Sequence, residues 1–258
     1  MRILVAGPPK TGNNWLKFML AQIYGLEILK QFPHSHRPED LATFIEQGLF
    51  TEDAIFHQHF APLPLFFEVV NSARIHVVTT IRNPYDVFVS LYHFIQKSPG
   101  HFSNNPSLKP VIGKPITHPD VLAYLEQTEY GFGFHIETAW EWVNSGQSLI
   151  MRYEALRADT FREMKWLTEQ IQPVENKIIR RVIKANRIRK VRKQKSKRAK
   201  NVRKGAVGDW KNHLTRTHLE IFQRCYSWEI EQLGYPVIAP NRVSVGMRAK
   251  ELVRRWLA

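Results

Sequence analysis

Apolar runs of strand length alternate with helical periodicities along this chain, so the sequence reads as a series of strand–helix pairs. Residues 3–6 form the first apolar run. A turn with two glycines and two prolines follows, then a helix in which Trp15, Met19 and Ile23 recur at helical spacing with Leu16 and Leu20 beside them. Beyond a polar stretch over 32–40, a short helix is expected over 41–47 and a strand over 54–60, closed by the proline-marked turn 61–64. Residues 74–81 are the clearest strand, apolar and rich in β-branched side chains. They lead to Pro84, which suits the first turn of a helix, and that helix carries Val87, Leu91, Phe94 and Ile95 on one side.

A connection rich in Gly, Pro and Asn covers 98–119, with helices expected over 121–127 and 135–143. A strand follows over 148–153, then a long helix to about 171, another from 175, one over about 215–233 and a last one over 248–257. Strands alternating with helices predict an α/β fold, a parallel β-sheet flanked by helices on both faces. No repeat or linker divides the sequence, so one domain is expected over 1–258, with a core to 234 and a tail over 235–258.

The chain has 258 residues, 43% of them hydrophobic, which suffices for a full core. No apolar run reaches membrane-spanning length, and the first one is expected to be a strand rather than a leader. Cys225 is the only cysteine, which excludes an intrachain disulfide and makes the reducing cytoplasm the expected compartment. The net charge of +14 is local: residues 184–204 hold twelve Lys or Arg and no acidic residue, leaving +2 for the rest. Such a tract is either a solvated loop or a device that steers anions.

The candidate chemistry begins in the first turn. A strand, a glycine turn and a helix N-terminus direct unpaired N–H groups and the positive dipole end at one spot, which makes an anion site. The spacing from Gly7 to Gly12 is that of a nucleotide P-loop, G-x-x-x-x-G. The next two residues, Lys and Ser/Thr in a P-loop, are here Asn13 and Asn14, and a lysine stands inside the loop at Lys10. The loop therefore suits a phosphate-bearing nucleotide other than ATP used in the ordinary way.

Pro9-Lys10-Thr11-Gly12-Asn13-Asn14-Trp15 resembles the P-K-S/T-G-T-T-W loop of cytosolic-type sulfotransferases. That loop holds the 5′-phosphosulfate of 3′-phosphoadenosine 5′-phosphosulfate (PAPS). Further parts recur in order. Arg82, Asn83, Asp86, Val89, Ser90, Tyr92, His93 and Phe94 match the family's R-N-x-x-D-x-x-V-S-x-Y-H-F segment, which binds the 3′-phosphate. An arginine at the C-terminal end of a parallel strand stands where ligands bind in open α/β sheets, and its planar fork fits a phosphate. Arg152-Tyr153-Glu154-Ala155-Leu156 resembles a Y-E-D-L strand end whose tyrosine contacts the adenosine. Residues 203–211 match R-K-G-x-x-G-D-W-K, whose Arg, Lys and Gly close over the 3′-phosphate, here Arg203, Lys204 and Gly205.

His57 and His59 lie between these segments, and strand alternation puts both imidazoles on one face. Two histidines so placed open the possibility of zinc, but no Cys pair or H-E-x-x-H segment supplies further ligands. His59-Phe60-Ala61-Pro62 resembles the family's K-T-H-L-P segment, so His59 takes the place of the catalytic base and His57 that of the lysine.

The resemblance, which runs from residue 3 to about 234, implies a P-loop NTPase-like sulfotransferase fold. It also implies in-line transfer of a sulfuryl group from PAPS to the hydroxyl, or amine, of a small-molecule acceptor, with PAP as product and no metal. His59, Lys10 and Ser90 take the catalytic places: His59 removes the acceptor's proton and Lys10 stabilises charge on the leaving nucleotide. Lys10, Thr11, Gly12, Asn13, Asn14, Trp15, Arg82, Ser90, Tyr153, Asn186, Arg203, Lys204 and Gly205 take the nucleotide-binding places. Trp15 stacks on adenine or fills the helix core. Asn186 donates to the base, and Ile188 stands where the family often has an aromatic residue. Lys211, Thr215 and Glu220 keep the outline of the family's dimer signature, but Arg216 replaces its valine, which weakens that contact. The aromatic residues Phe60, Phe66, Phe67, Phe102, Phe132 and Phe134 fit either an acceptor pocket or the core.

Two other classes compete with this one. A P-loop nucleotide kinase requires the lysine and hydroxyl that residues 13 and 14 lack. A nucleic-acid-binding protein using residues 184–204 gains only salt-dependent, nonspecific affinity, and leaves the loop and the Arg82 segment without a purpose.

Overall fold

A computed structural model describes residues 1–30, 35–187, 204–244 and 246–247. The elements are β1 (Arg2–Ala6), α1 (Asn13–Tyr24), β2 (Glu27–Ile28), α2 (Pro38–Glu46), β3 (Ala54–Gln58), α3 (Pro64–Ser72), β4 (Ile75–Ile81) and α4 (Pro84–Lys97). They continue with α5 (Pro99–Phe102), α6 (Pro119–Glu126), α7 (Gly133–Ser145), β5 (Leu149–Arg152), α8 (Tyr153–Ala158), α9 (Thr160–Ile171), α10 (Asn176–Ala185) and α11 (Arg216–Gln232). The chain forms two compact units, Met1–Arg82 with Glu141–Gly205, and Asn83–Trp140 with Ala206–Ala258.

The first unit holds the sheet. Its order is β2-β3-β1-β4-β5, and every neighbouring pair is parallel. Alternation along β1 sends Ile3 and Val5 to one face, where they meet Leu16, Met19 and Leu20 of α1, Met164 and Leu167 of α9 and Ile179 of α10. Leu4 and Ala6 go to the other face, against Leu41 and Phe44 of α2, Phe66 and Val70 of α3, and Trp142. The sheet is thus parallel with helices on both faces, the α/β class that the sequence pattern implies. Phe60, Phe66 and Phe67 belong to this second core, and the indole of Trp142 donates to the Phe60 carbonyl at 3.0 Å.

Several boundaries differ from the pattern for local reasons. α2 begins at Pro38, with Glu39 and Asp40 complementing its N-terminal dipole, rather than at residue 41. β3 stops at Gln58, not at residue 60, because the Gln58 side chain accepts the His59 backbone N–H at 2.9 Å. Pro64 opens the helix α3 instead of merely closing a turn. The long helix expected after β5 is two helices, broken at Asp159, whose carboxylate caps α9 by accepting from the Arg162 N–H at 3.0 Å. The helix expected over 248–257 lies outside the described residues.

The second unit is held by an aromatic cluster and a buried carboxylate. Tyr85 packs on Phe222 and Trp210 with ring centroids 4.4 and 5.2 Å apart, and Phe132 packs on Phe88 and Phe222. Asp86, only 1% exposed, accepts from the backbone N–H of Gly208 at 2.7 Å and of Trp210 at 3.0 Å. Thr215 caps α11 reciprocally with His218, and Arg216 pairs along the helix with Glu220 at 2.8 Å. Among the described residues, no helix is long and apolar enough to cross a membrane.

Candidate functional site

In a parallel sheet all strands end at one edge, and here β1, β3, β4 and β5 deliver, in turn, the glycine loop, His59, Arg82 and Tyr153 to it. β1 lies centrally, between β3 and β4, and its register pairs Ala6 with both Gln58 and Thr79. The loop after β1 therefore emerges level with His59 on one side and the end of β4 on the other.

The loop's shape depends on left-handed backbone. Gly7, Lys10 and Gly12 have φ of 124°, 67° and 116°. A Cβ at Gly7 would stand 2.8 Å from Thr79 Cγ2, and one at Gly12 would stand 2.8 Å from Tyr153 Cδ2. Lys10 takes a conformation that costs a non-glycine residue energy, a form of strain that clusters at functional sites. The side chains of Thr11 and Asn13 hold the loop together. Thr11 Oγ1 donates to the Pro8 carbonyl at 2.9 Å, Asn13 Nδ2 donates to the same carbonyl at 3.0 Å, and Thr80 joins Thr11 and Asn13. The backbone N–H groups of Gly12, Asn13 and Asn14 meet no backbone carbonyl among the described residues, as expected at the start of α1. These amides suit a phosphate, whereas the Asn13 side chain, spent on the loop, does not suit a Mg²⁺ ion.

Two more loop carbonyls hold the side chains of His59 and Arg82. The Gly7 carbonyl lies 2.8 Å from His59 Nδ1. A carbonyl only accepts, so Nδ1 carries the proton and Nε2 keeps its lone pair. The Lys10 carbonyl accepts from Arg82 Nη1 at 3.3 Å. Arg82 is only 8% exposed, and its guanidinium lies over the Tyr153 ring at 4.4 Å.

Burial above all lowers His59 to about 4. The Gly7 bond opposes this, while the nearby charges of His36 and Lys10 add to it. His57 is lowered to about 3, by burial first and then by the charges of Lys17 and His59. Both are therefore neutral imidazoles at neutral pH, as a base must be. The unfolded chain binds protons below about pH 6.5 while the folded chain resists until about pH 4 or lower, so stability is lost as pH falls through that window. His218, buried at the start of α11 and likewise lowered to about 4, adds to the loss. A melting-temperature scan is expected to descend steadily from pH 6.5 to pH 4. A flat scan would contradict these neutral histidines.

Trp15 Nε1 donates to the Asn186 carbonyl at 3.1 Å, its ring meets Tyr153 edge-on at 6.2 Å, and Arg157 lies 5.5 Å over it. Trp15 also borders a cavity of about 420 Å³ with Arg157, Phe161, Ile183 and Arg187. The Asn186 amide donates to Gln22 Oε1 at 2.8 Å and to the Val182 carbonyl at 2.9 Å. Both hydrogens have protein partners, and the Asn186 backbone carbonyl supports Trp15. Ser90 is half-buried on α4 in the second unit, while Lys204 is exposed at the end of the first. Gly205 adopts a left-handed φ of 65°. Arg203, Ile188 and most of the basic tract lie outside the described residues.

The structure adds Lys17, Arg157 and the carbonyl of Gly7 to what the sequence singles out. Lys17 reads as one more position of an amphipathic helix, and a glycine's carbonyl has no sequence signature. Pairing across β1 and β3 is what reveals both.

Edge loops, left-handed glycines and a helix start define an α/β protein that receives a phosphorylated ligand at the end of its sheet. The sulfotransferase domain family model matches residues 1–234. The chain belongs to that family and is a PAPS-dependent sulfotransferase. It is 24% identical over 256 residues to sulfotransferase 2A1 of Homo sapiens, covering 90% of this chain and 85% of that one. It is 28% identical over 244 residues to cytosolic sulfotransferase 17 of Arabidopsis thaliana, covering 82% and 69%. Its fold is similar to that of mouse sulfotransferase SULT7A1 complexed with PAP, with a TM-score of 0.67, 18% identity, and 89% and 83% of the two chains covered.

Proposed function

We propose that His59 is the general base of the sulfuryl transfer and that the loop 7–15 with Arg82, Tyr153 and Trp15 holds the nucleotide. One observation carries this reading: two carbonyls of one glycine loop, those of Gly7 and Lys10, hold an imidazole by Nδ1 on one side and an arginine on the other. When bound, PAPS supplies a sulfuryl group on a phosphate leaving group. The amides of Gly12, Asn13 and Asn14 fit its 5′-phosphate, and the α1 dipole favours the charge. The Arg82 guanidinium fits its 3′-phosphate, which the sequence motifs assign to Ser90, Arg203, Lys204 and Gly205 as well. The cavity beside Trp15 fits the purine. His59 Nε2 accepts the proton of the acceptor's hydroxyl, or amine, and Lys10 presents positive charge at the loop where negative charge develops.

The acceptor is a small molecule. Two guinea-pig relatives are named 3-alpha- and 3-beta-hydroxysteroid sulfotransferase, at 25% and 26% identity, which supports a hydroxyl acceptor. The cytoplasm is the proposed compartment, in line with the Arabidopsis relatives named cytosolic.

The test is nucleotide discrimination. PAP at a hundredfold excess over its Kd is expected to stabilise the protein by about 2.7 kcal/mol, with AMP and ATP–Mg²⁺ doing far less. Equal stabilisation by AMP and PAP would remove the 3′-phosphate site. Transfer of labelled sulfate from PAPS to a panel of alcohols and amines identifies the acceptor class.

A further inference from the structure

β3 carries a second imidazole, and an unusual partner holds it. Lys17 projects from α1 and is only 7% exposed, and its Nζ lies 2.8 Å from His57 Nδ1. No carboxylate among the described residues forms an ion pair with it. A charged lysine has three donors and no acceptor, so His57 Nδ1 receives a hydrogen bond and the neutral ring carries its proton on Nε2. His59, 5.9 Å away between centroids with its ring turned 80°, is held in the opposite tautomer by the Gly7 carbonyl. Burial lowers Lys17 to about 8, which still leaves it an ammonium at neutral pH.

We infer that Lys17 is a positioning residue that fixes His57 as a hydrogen-bond donor beside the proton-accepting His59, so that the pair recognises a group able both to give and to accept a hydrogen bond. An alcohol acceptor is such a group: its O–H goes to His59 Nε2 and its lone pair receives the His57 Nε2–H. The hydrogen bond from Lys17 polarises that N–H, which strengthens it as negative charge grows on the oxygen. An aligned cation therefore acts through His57 although the position homologous to the family's lysine holds a histidine. The inference rests on the reading of His59 as the base.

The test uses the full chain with PAP bound and isotope-labelled histidine, whose long-range proton–nitrogen correlations report each ring's tautomer. Wild type is expected to show the Nε2–H form for His57 and the Nδ1–H form for His59. Lys17→Met removes a buried charge while keeping the shape, so folding is expected to survive. It should release the His57 tautomer, leave that of His59 unchanged, and lower kcat on an alcohol about tenfold or more, the worth of one charge-assisted hydrogen bond. PAP affinity should stay within about twofold, since no nucleotide contact is removed. Lys17→Arg, which keeps a cationic donor, should restore the tautomer and part of kcat. An Nδ1–H His57 in wild type, or a Lys17→Met enzyme with unchanged tautomers and kcat, overturns the inference. If His59→Ala retains full activity, the base reading fails instead, while the tautomer measurement still judges Lys17 independently.

Discussion

His59→Ala is expected to lower kcat by about a hundredfold or more, the usual contribution of a positioned acid–base group, while PAP affinity is nearly kept. The size follows from how the ring is held. Its Nδ1 is committed to the Gly7 carbonyl, so one ring nitrogen alone is available for chemistry. His57 cannot substitute, because its Nδ1 is bonded to Lys17 and its Nε2 carries the proton. His57→Ala should therefore be milder, through loss of a donor rather than of the base. Steady-state rates with saturating PAPS, alongside PAP titration, separate the two. A larger loss for His57→Ala than for His59→Ala would reverse the assignment of roles.

Asp86→Ala is expected to be the most destabilising change of those considered, by about 2–6 kcal/mol, because one buried and one part-buried N–H group each lose a carboxylate acceptor at about 1–3 kcal/mol apiece. Those groups belong to Gly208 and Trp210, at the end of the glycine segment that begins beside Lys204. PAP affinity should fall with stability, since that segment carries the residues assigned to the 3′-phosphate. Asp86→Asn retains one carbonyl acceptor and should recover about half of the loss. Urea unfolding midpoints rank the three proteins. Equal midpoints for wild type and alanine variant would show that other contacts hold the segment.

What the sequence made legible depended on the range of the interaction. β1, α1 and β4 were readable because alternation, a glycine turn and helical spacing are local and strong. β2 was not, since two residues carry no periodicity. α3 was hidden because Pro62 and Pro64 look like a turn, although Pro64 is favourable at the first helical position. The break between α8 and α9 depends on a single capping carboxylate, Asp159, inside a stretch that looks continuously helical. At the site, residue types and order were legible through Lys10, Gly12, His59 and Arg82. Their partners were not. The bonds from His59 to Gly7, from Lys17 to His57 and from Trp15 to Asn186 join positions 52, 40 and 171 residues apart, so they exist only after the strands and helices have found their places.

The Gly7 carbonyl links properties that are usually engineered separately. A side chain at residue 7 would collide with Thr79, and relief of that collision would move the very carbonyl that fixes the proton on His59. A variant made to loosen the nucleotide would therefore also change the acidity and aim of His59, the proposed base. Its pH–rate profile would shift along with its affinity for PAP, so one lesion would present two phenotypes. For anyone reshaping the donor side of this enzyme, residue 7 is the point at which donor selectivity and acceptor chemistry cannot be varied one at a time.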